Sequence, residues 1–287
     1  MSACRASEAT SRGSTQTVST GAVGNSTLGF NYTAAEQLTQ TNSAANGYDQ
    51  PESPIALASG AVQSYNGADE LTSSSDVTLL GTATATDPGS SSTLTLALPV
   101  TTTVNDQVIV SVVLEGSGSV TTPAGYAVAT STATGSSGSD ARIVVLRHSV
   151  AAGDSTTLAV SATASSPKVA TALVYRGVNP TSPIDAFTLR SAAATTRVST
   201  TSITASSPGD HLVALLGANA ATAPTWSLSS PPTMTVRASP SLAGIGTAAD
   251  DGMQLVTGTV AGINATASAS ANLVGLEFRF TRVVPAL

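Results

Sequence analysis

Lys168-Val-Ala-Thr-Ala-Leu-Val-Tyr-Arg-Gly-Val178 is the stretch that decides the fold. It is apolar enough to be buried on at least one face, it is rich in β-branched residues, and Gly177 and Pro180 stop it. About a hundred residues later Asn272-Leu-Val-Gly-Leu-Glu-Phe-Arg-Phe-Thr281 has the same character. Each reads as the closing strand of a half-domain, and the segments before each can be aligned with one another.

In the first copy, Thr93–Leu98 alternates at period two, and Gln107–Leu114 is a buried strand ended by Glu115-Gly-Ser-Gly118. Thr122-Pro-Ala-Gly-Tyr126 is a turn into a short strand, and Arg142–His148 and Thr156–Thr163 are strands joined by Ala151-Ala-Gly-Asp154. The segment opening with Asn179-Pro-Thr-Ser-Pro-Ile-Asp185 reads as a connector, after which the grammar repeats. Ser199–Thr204 is edge-like, and Pro208-Gly-Asp210 precedes His211–Leu216 as Val104-Asn-Asp106 precedes Gln107–Leu114. Ser230–Met234 answers Thr122–Tyr126, Met253–Thr257 answers Ile143–Arg147, and Val260-Ala-Gly-Ile-Asn264 answers Val150-Ala-Ala-Gly-Asp154. The expectation is an internal repeat with halves at about 92–178 and 197–282. Halves that cannot cover their own apolar faces bury them against each other. The predicted fold is all-β: a two-sheet antiparallel jelly-roll-like sandwich over residues 76–287, with two separate β domains as the rival.

Residues 1–75 are low in complexity, built from Ser, Thr, Ala, Gly, Asn and Gln, and predict an extended N-terminal arm for assembly or anchoring. Its aromatic residues Phe30, Tyr32, Tyr48 and Tyr65 are the candidate contacts. Thr33–Gln40 carries a capping box, Thr33 with Glu36, and is expected to form two helical turns. Met1–Thr10 lacks an apolar core, so no Sec signal peptide is expected there.

Only 10% of the 287 residues are charged, so hydroxyl groups provide most surface polarity. Net charge is −6, Lys168 is the sole lysine, and no basic cluster exists. Nucleic acid is therefore not expected as a partner, because counterion release has little to act on, and neither is an anionic membrane. Cys4 is the only cysteine, which excludes an internal disulfide and a thiolate metal cage.

No catalytic set stands out and no cofactor is expected. His148 and His211 are the only histidines, each at a strand end, and no Gly-x-Ser-x-Gly elbow accompanies Asp210-His211. Glu115, Asp140, Asp154, Asp185, Asp250, Asp251 and Glu277 show no spacing that singles out a glycosidase pair. Asp250-Asp251 is a weak Ca²⁺ candidate. Trp226 and Tyr126 are candidate ligand contacts, for a surface glycan above all.

The order of Asp-led apolar strand, Pro123-Ala-Gly-Tyr126 turn, apolar strand, Ala151-Ala-Gly-Asp154 hairpin and Val174-Tyr-Arg-Gly-Val-Asn-Pro-Thr-Ser-Pro-Ile-Asp185 resembles a module of accessory virion proteins of tailed bacteriophages. Similar modules occur in secreted surface proteins of high-GC bacteria. The resemblance covers about residues 76–283 and departs at Tyr126, where related modules often carry Trp, and at Pro232-Thr-Met234. It implies a non-enzymatic structural role on the virion surface: capsid decoration, head fibre or tail accessory. The implied partners are a major capsid or tail protein and sister subunits in a homo-oligomer such as a trimer. The alternative is an extracellular bacterial adhesin, filament subunit or carbohydrate-binding module.

Overall fold

The computed structural model describes residues 77–98, 102–162, 166–205, 210–222, 224–229, 234–254 and 258–283, and before residue 75 the backbone of strand residues alone. The chain divides into two compact units, one holding Met1–Ser75 and the other Asp76–Ser206 with Asp210–Val283.

In the first unit Arg12–Ser19, Asn25–Tyr32, Leu38–Thr41 and Ala44–Ala45 form an antiparallel sheet. Gly47–Tyr48 pairs with Pro54–Ala56, and Gln63–Tyr65 pairs with Leu71–Ser74. The helix expected over Thr33–Gln40 is corrected where it is described, because Leu38–Gln40 belong to a strand. Eight residues make a marginal helix on their own, and β-pairing of Leu38–Thr41 with Phe30–Tyr32 takes precedence. Phe30, Tyr32, Tyr48 and Tyr65 lie on these strands, and their expected assembly contacts lie outside the described side chains.

The second unit is all-β, as expected, and among the described residues its first half has eight strands. They are β1 (Thr78–Pro88), β2 (Thr93–Ala97), β3 (Gln107–Glu115), β4 (Val120–Thr121), β5 (Ala127–Ala133), β6 (Ala141–Ser149), β7 (Thr157–Ala162) and β8 (Pro167–Arg176). The second half has β9 (Ile184–Ser199), β10 (Ile203–Ala205), β11 (Asp210–Ala220), β12 (Trp226–Leu228) and β13 (Thr235–Ala238). It continues with β14 (Ser241–Leu242), β15 (Ile245–Gln254), β16 (Gly258–Val260) and β17 (Asn264–Phe280).

The large sheet of the first half has the order β5-β6-β3-β8-β1, and that of the second half has β13-β15-β11-β17-β9. Strand for strand this is the same order, and every pairing is antiparallel. Smaller sheets, β2-β7-β4 and β10-β16, accompany the first and second halves.

Period-two alternation distributes each central strand over two cores. Ile109, Val113, Ile143, Val145, Leu173 and Tyr175 of the first large sheet meet Val213, Leu215, Ala249, Leu276, Phe278 and Phe280 of the second in one central core. The alternate residues of β3, Val108, Val110, Val112 and Leu114, pack instead beneath Leu94, Leu96, Leu158 and Val160 of the small sheet. This explains why Gln107–Leu114 and the Lys168–Val178 stretch read as unbroken apolar runs: both faces are buried, and each such side chain contributes roughly 1.5–3 kcal/mol. At the centre Gly217 is required by close approach, since a Cβ there would sit 2.8 Å from Val113 and 2.9 Å from Val274. Asn219 donates to the carbonyls of Gly138 and Asp140, and Asn272 to that of Ser139, so two asparagines of the second half hold the β5–β6 hairpin of the first.

Two strand expectations are corrected, and one strand was not anticipated. The segment read as a connector after Asn179 contains β9, a 16-residue strand, whose Ala/Thr/Arg-rich edge position gives no apolar run. The strand expected at Met253–Thr257 is β15, Ile245–Gln254, eight residues earlier at its start; Gly246, Gly252 and two aspartates disguise it. Finally, Thr78–Pro88 is a full strand at the sheet edge, half exposed and rich in Thr.

The halves cross from large to small sheet differently. In the first, β1 and β2 are separate strands, as are β7 and β8, and the corner between them is fixed by Lys168. Its Nζ, fully buried, donates to Asp87 Oδ2 at 2.8 Å, to the Ser91 carbonyl at 2.6 Å and to the Ser166 carbonyl at 2.8 Å. In the second, β9 and β17 run through the corner unbroken, with register shifts around Ala192–Arg197 and Ala194 at φ 50°.

Candidate functional site

The repeat places an aspartate before the central strand of each half, and an arginine of the closing strand meets it. Arg176 grips Asp106 through Nε and Nη2, both at 2.9 Å, and Arg279 donates to Asp210 at 3.1 Å. Burial pushes the Asp106 carboxyl up, but the Arg176 guanidinium and the Thr103 amide outweigh it and hold it below the usual carboxylate range. Arg279 also pairs with Asp185 and with the Thr204 carbonyl.

Asp210 therefore does not act with His211. The imidazole Nε2 instead meets Asp251 Oδ2 at 3.1 Å, the Tyr175 hydroxyl donates to the same oxygen at 3.0 Å, and Arg237 Nε donates to Oδ1. Asp251 is fully buried in this network. Burial pushes its carboxyl up, and the His211 and Arg237 hydrogen bonds overcome that and hold it below the ordinary value. The Tyr175 hydroxyl is raised by burial and by the Asp251 charge.

The Ca²⁺ reading of Asp250-Asp251 is corrected by strand geometry. Successive residues of β15 face opposite sides of the sheet, so the two carboxyls do not converge on one ion. Asp251 faces the central core, and Asp250 faces outward across the sheet. Among the described residues, no three His, Cys, Asp or Glu side chains cluster as a metal site would require.

Asp250 and Glu277 are neighbouring buried carboxyls on that outward face. Ala214 of β11 pairs with Asp250 on one side and Glu277 on the other, so both acids flank it. Glu277 Oε2 accepts from Thr200 Oγ1 and from the Ile263 amide, each at 3.2 Å, and Oε1 has no partner. Burial raises Asp250 to about 6, helped by the Asp251 charge, and raises Glu277 to about 7 against its two hydrogen bonds.

Trp226, a candidate ligand contact, lies on β12, half buried against the outer core of the second half that includes Ala265, Ala267 and Leu273. Its Nε1 is buried without a hydrogen-bond partner.

Tyr126, the other candidate, belongs to a surface cluster. Gly125 at φ 80° makes the turn that seats Tyr126 over His148, ring centroids 4.6 Å apart and 27° from parallel. His148 Nδ1 lies 2.8 Å from the Gly125 carbonyl, and Nε2 lies 2.6 Å from Asp154 Oδ2. Both ring nitrogens are thus engaged by oxygen atoms of the protein. Asp154 is held below the usual carboxylate range by the Ala151 amide and by His148, while burial and Asp154 push Tyr126 up to about 12. Tyr126, His148 and Asp154 line a cavity of about 210 Å³ with Thr102, Ser155 and Thr157. The Pro-Ala-Gly-Tyr turn and the Ala-Ala-Gly-Asp hairpin were each legible. Their convergence on His148 comes only from the pairing of β5 with β6.

Compared with protein-family models, curated proteins and solved structures, the chain has no match in any of the three.

Proposed function

We propose that this chain is a non-enzymatic structural protein of a bacteriophage virion: a capsid-decorating, head-fibre or tail accessory protein. The N-terminal residues 1–75 attach it to a capsid or tail protein and to sister subunits, and the sandwich projects outward.

One observation carries the reading. Many of the buried ionisable groups are engaged in fastening the fold: Lys168 with Asp87, Arg176 with Asp106, and His211, Tyr175 and Arg237 with Asp251. His148 is held between Gly125 and Asp154. A nucleophile–base pair facing a cleft is the arrangement that enzymatic hydrolysis needs, and in the cleft that holds His148 both ring nitrogens are already engaged by Gly125 and Asp154. The weak charge and hydroxyl-rich surface suit a particle component that meets many solutes, and strand pairing supplies main-chain hydrogen bonds without ionic partners.

Deletion of residues 1–75 tests the proposal, since the sandwich has its own cores. The truncated chain is expected to keep a β-type circular-dichroism spectrum and a cooperative melt. It is expected to be absent from particles that incorporate the full chain, as seen by electron microscopy and mass spectrometry. Equal incorporation of the truncated chain would overturn the anchoring role. Hydrolase activity abolished by one carboxylate substitution would overturn the non-enzymatic reading.

A further inference from the structure

A cavity of about 270 Å³ opens where β5, the edge of the first large sheet, lies beside β9, the edge of the second. Its floor is the central core at Val145, Leu276 and Phe278. Its mouth carries Arg147, the hydroxyl residues Thr130, Thr181 and Ser182, the Asp185 carboxyl and the Phe187 ring.

Arg147 is the unusual member. It is half buried on β6 at the position that Asp251 occupies on β15, since Ile109 pairs with one and Val213 with the other. Asp251 is met by three donors. Arg147 meets no acceptor: among the described residues its guanidinium has neither a hydrogen bond nor an ion pair. The carboxylate in the lining, Asp185, is already paired with Arg279. Beside Arg147 the Phe187 ring is 55% exposed, a large apolar face left in water.

We propose that this cavity binds a single sugar acid, a uronic-acid unit at the end or branch of an acidic glycan. The ring carboxylate pairs with the Arg147 guanidinium, whose planar fork matches it. Sugar hydroxyls meet Thr130, Thr181 and Ser182, and the C–H face of the ring lies on Phe187. The volume is below the roughly 300 Å³ at which pockets for drug-sized ligands begin, so one ring enters and the rest of the glycan stays outside. An acidic peptide side chain would satisfy Arg147 but would leave the hydroxyls and Phe187 unmatched. The site goes beyond the structural role proposed above and does not depend on it.

The test is titration of the full-length chain with methyl galacturonide, methyl glucuronide, methyl glucoside and glutamate, monitored by amide NMR shifts at low and high salt. The two uronides are expected to bind, with glucoside and glutamate at least about tenfold weaker, the scale of one charge-assisted contact. Arg147→Gln is expected to remove about tenfold of the uronide affinity, and added salt to weaken what the native chain binds. Phe187→Ala, at an exposed position that leaves folding intact, is expected to weaken all sugar binding while sparing the salt dependence. Thermal melts verify that both variants fold. Glucoside binding equal to uronide, glutamate binding as tight as uronide, full affinity in a folded Arg147→Gln chain, or no shift with any probe would each overturn the proposal.

Discussion

The outer cores of the two halves share a backbone plan and differ in chemistry. In the first half the row across the large sheet is Leu146, Val110, Ala172; in the second half the equivalent row is Asp250, Ala214, Glu277. Along this row the first repeat is wholly apolar, and the second buries two carboxyls, 2% and 0% exposed. The same inversion holds on the inner faces, where Arg147 stands opposite the role of Asp251. Strand order is fixed by pairing and by the demand for two apolar faces, so it survives extensive substitution. Ionisable residues are fixed by single partners, and there the repeats have diverged.

The sharpest way to break the comparison is at the Asp251 network. Asp251→Ala leaves His211, the Tyr175 hydroxyl and Arg237 without their shared acceptor, and is expected to destabilise the sandwich by about 3–5 kcal/mol in urea unfolding. A change under about 1 kcal/mol would mean that the network contributes little and that the second half is held by packing alone.

Next in size is the pH dependence of the second outer core. Asp250 and Glu277 keep their protons to about 6 and about 7 in the fold, while in the unfolded chain they ionise near 3.8 and 4.5. Below those ordinary values both states are protonated and the stability is fully present. As pH rises the unfolded chain releases protons first, so stability falls from about pH 4 and the loss is complete above about pH 7, on the order of 2–3 kcal/mol for each carboxyl. Installing the first half's residues, Asp250→Leu with Glu277→Ala, is expected to flatten this slope in melts between about pH 4 and pH 8. An unchanged slope in the double variant would assign the pH dependence elsewhere.

The smallest effect concerns the corner. Ala194 sits at φ 50° in the long strand that the second half uses where the first half breaks its strand. Ala194→Gly is expected to raise stability by up to about 1 kcal/mol, because relief of the left-handed conformation exceeds the added freedom of the unfolded chain. A loss of similar size would show that the bend is set by something other than backbone preference.

Legibility in the sequence obeys the same division. The strands buried on two faces, Gln107–Glu115 and Pro167–Arg176, were legible because such burial leaves an unbroken apolar run. Edge strands were not: Thr78–Pro88 and Ile184–Ser199 leave most positions partly or fully exposed and use Thr, Ala and Arg. The strand holding Asp250 and Asp251 was missed because paired acids imitate a loop, and only the donors from Tyr175, His211 and Arg237, up to 76 residues away in sequence, make one of them tolerable inside. The Tyr126 turn was legible as a turn, while Arg147 had no signal at all, since an arginine in an apolar strand gains meaning only from what fails to meet it.

The placement of β17 bears on how the molecule is made. It is the last strand of its sheet to be synthesised, yet it lies between β9 and β11 and supplies Leu276, Phe278 and Phe280 to the shared interior. Until it leaves the ribosome, the second sheet lacks an inner member and the first presents a wet apolar wall. Chains of this kind ripen late and slowly, and the interval before completion is when they are most prone to clump or to require a chaperone.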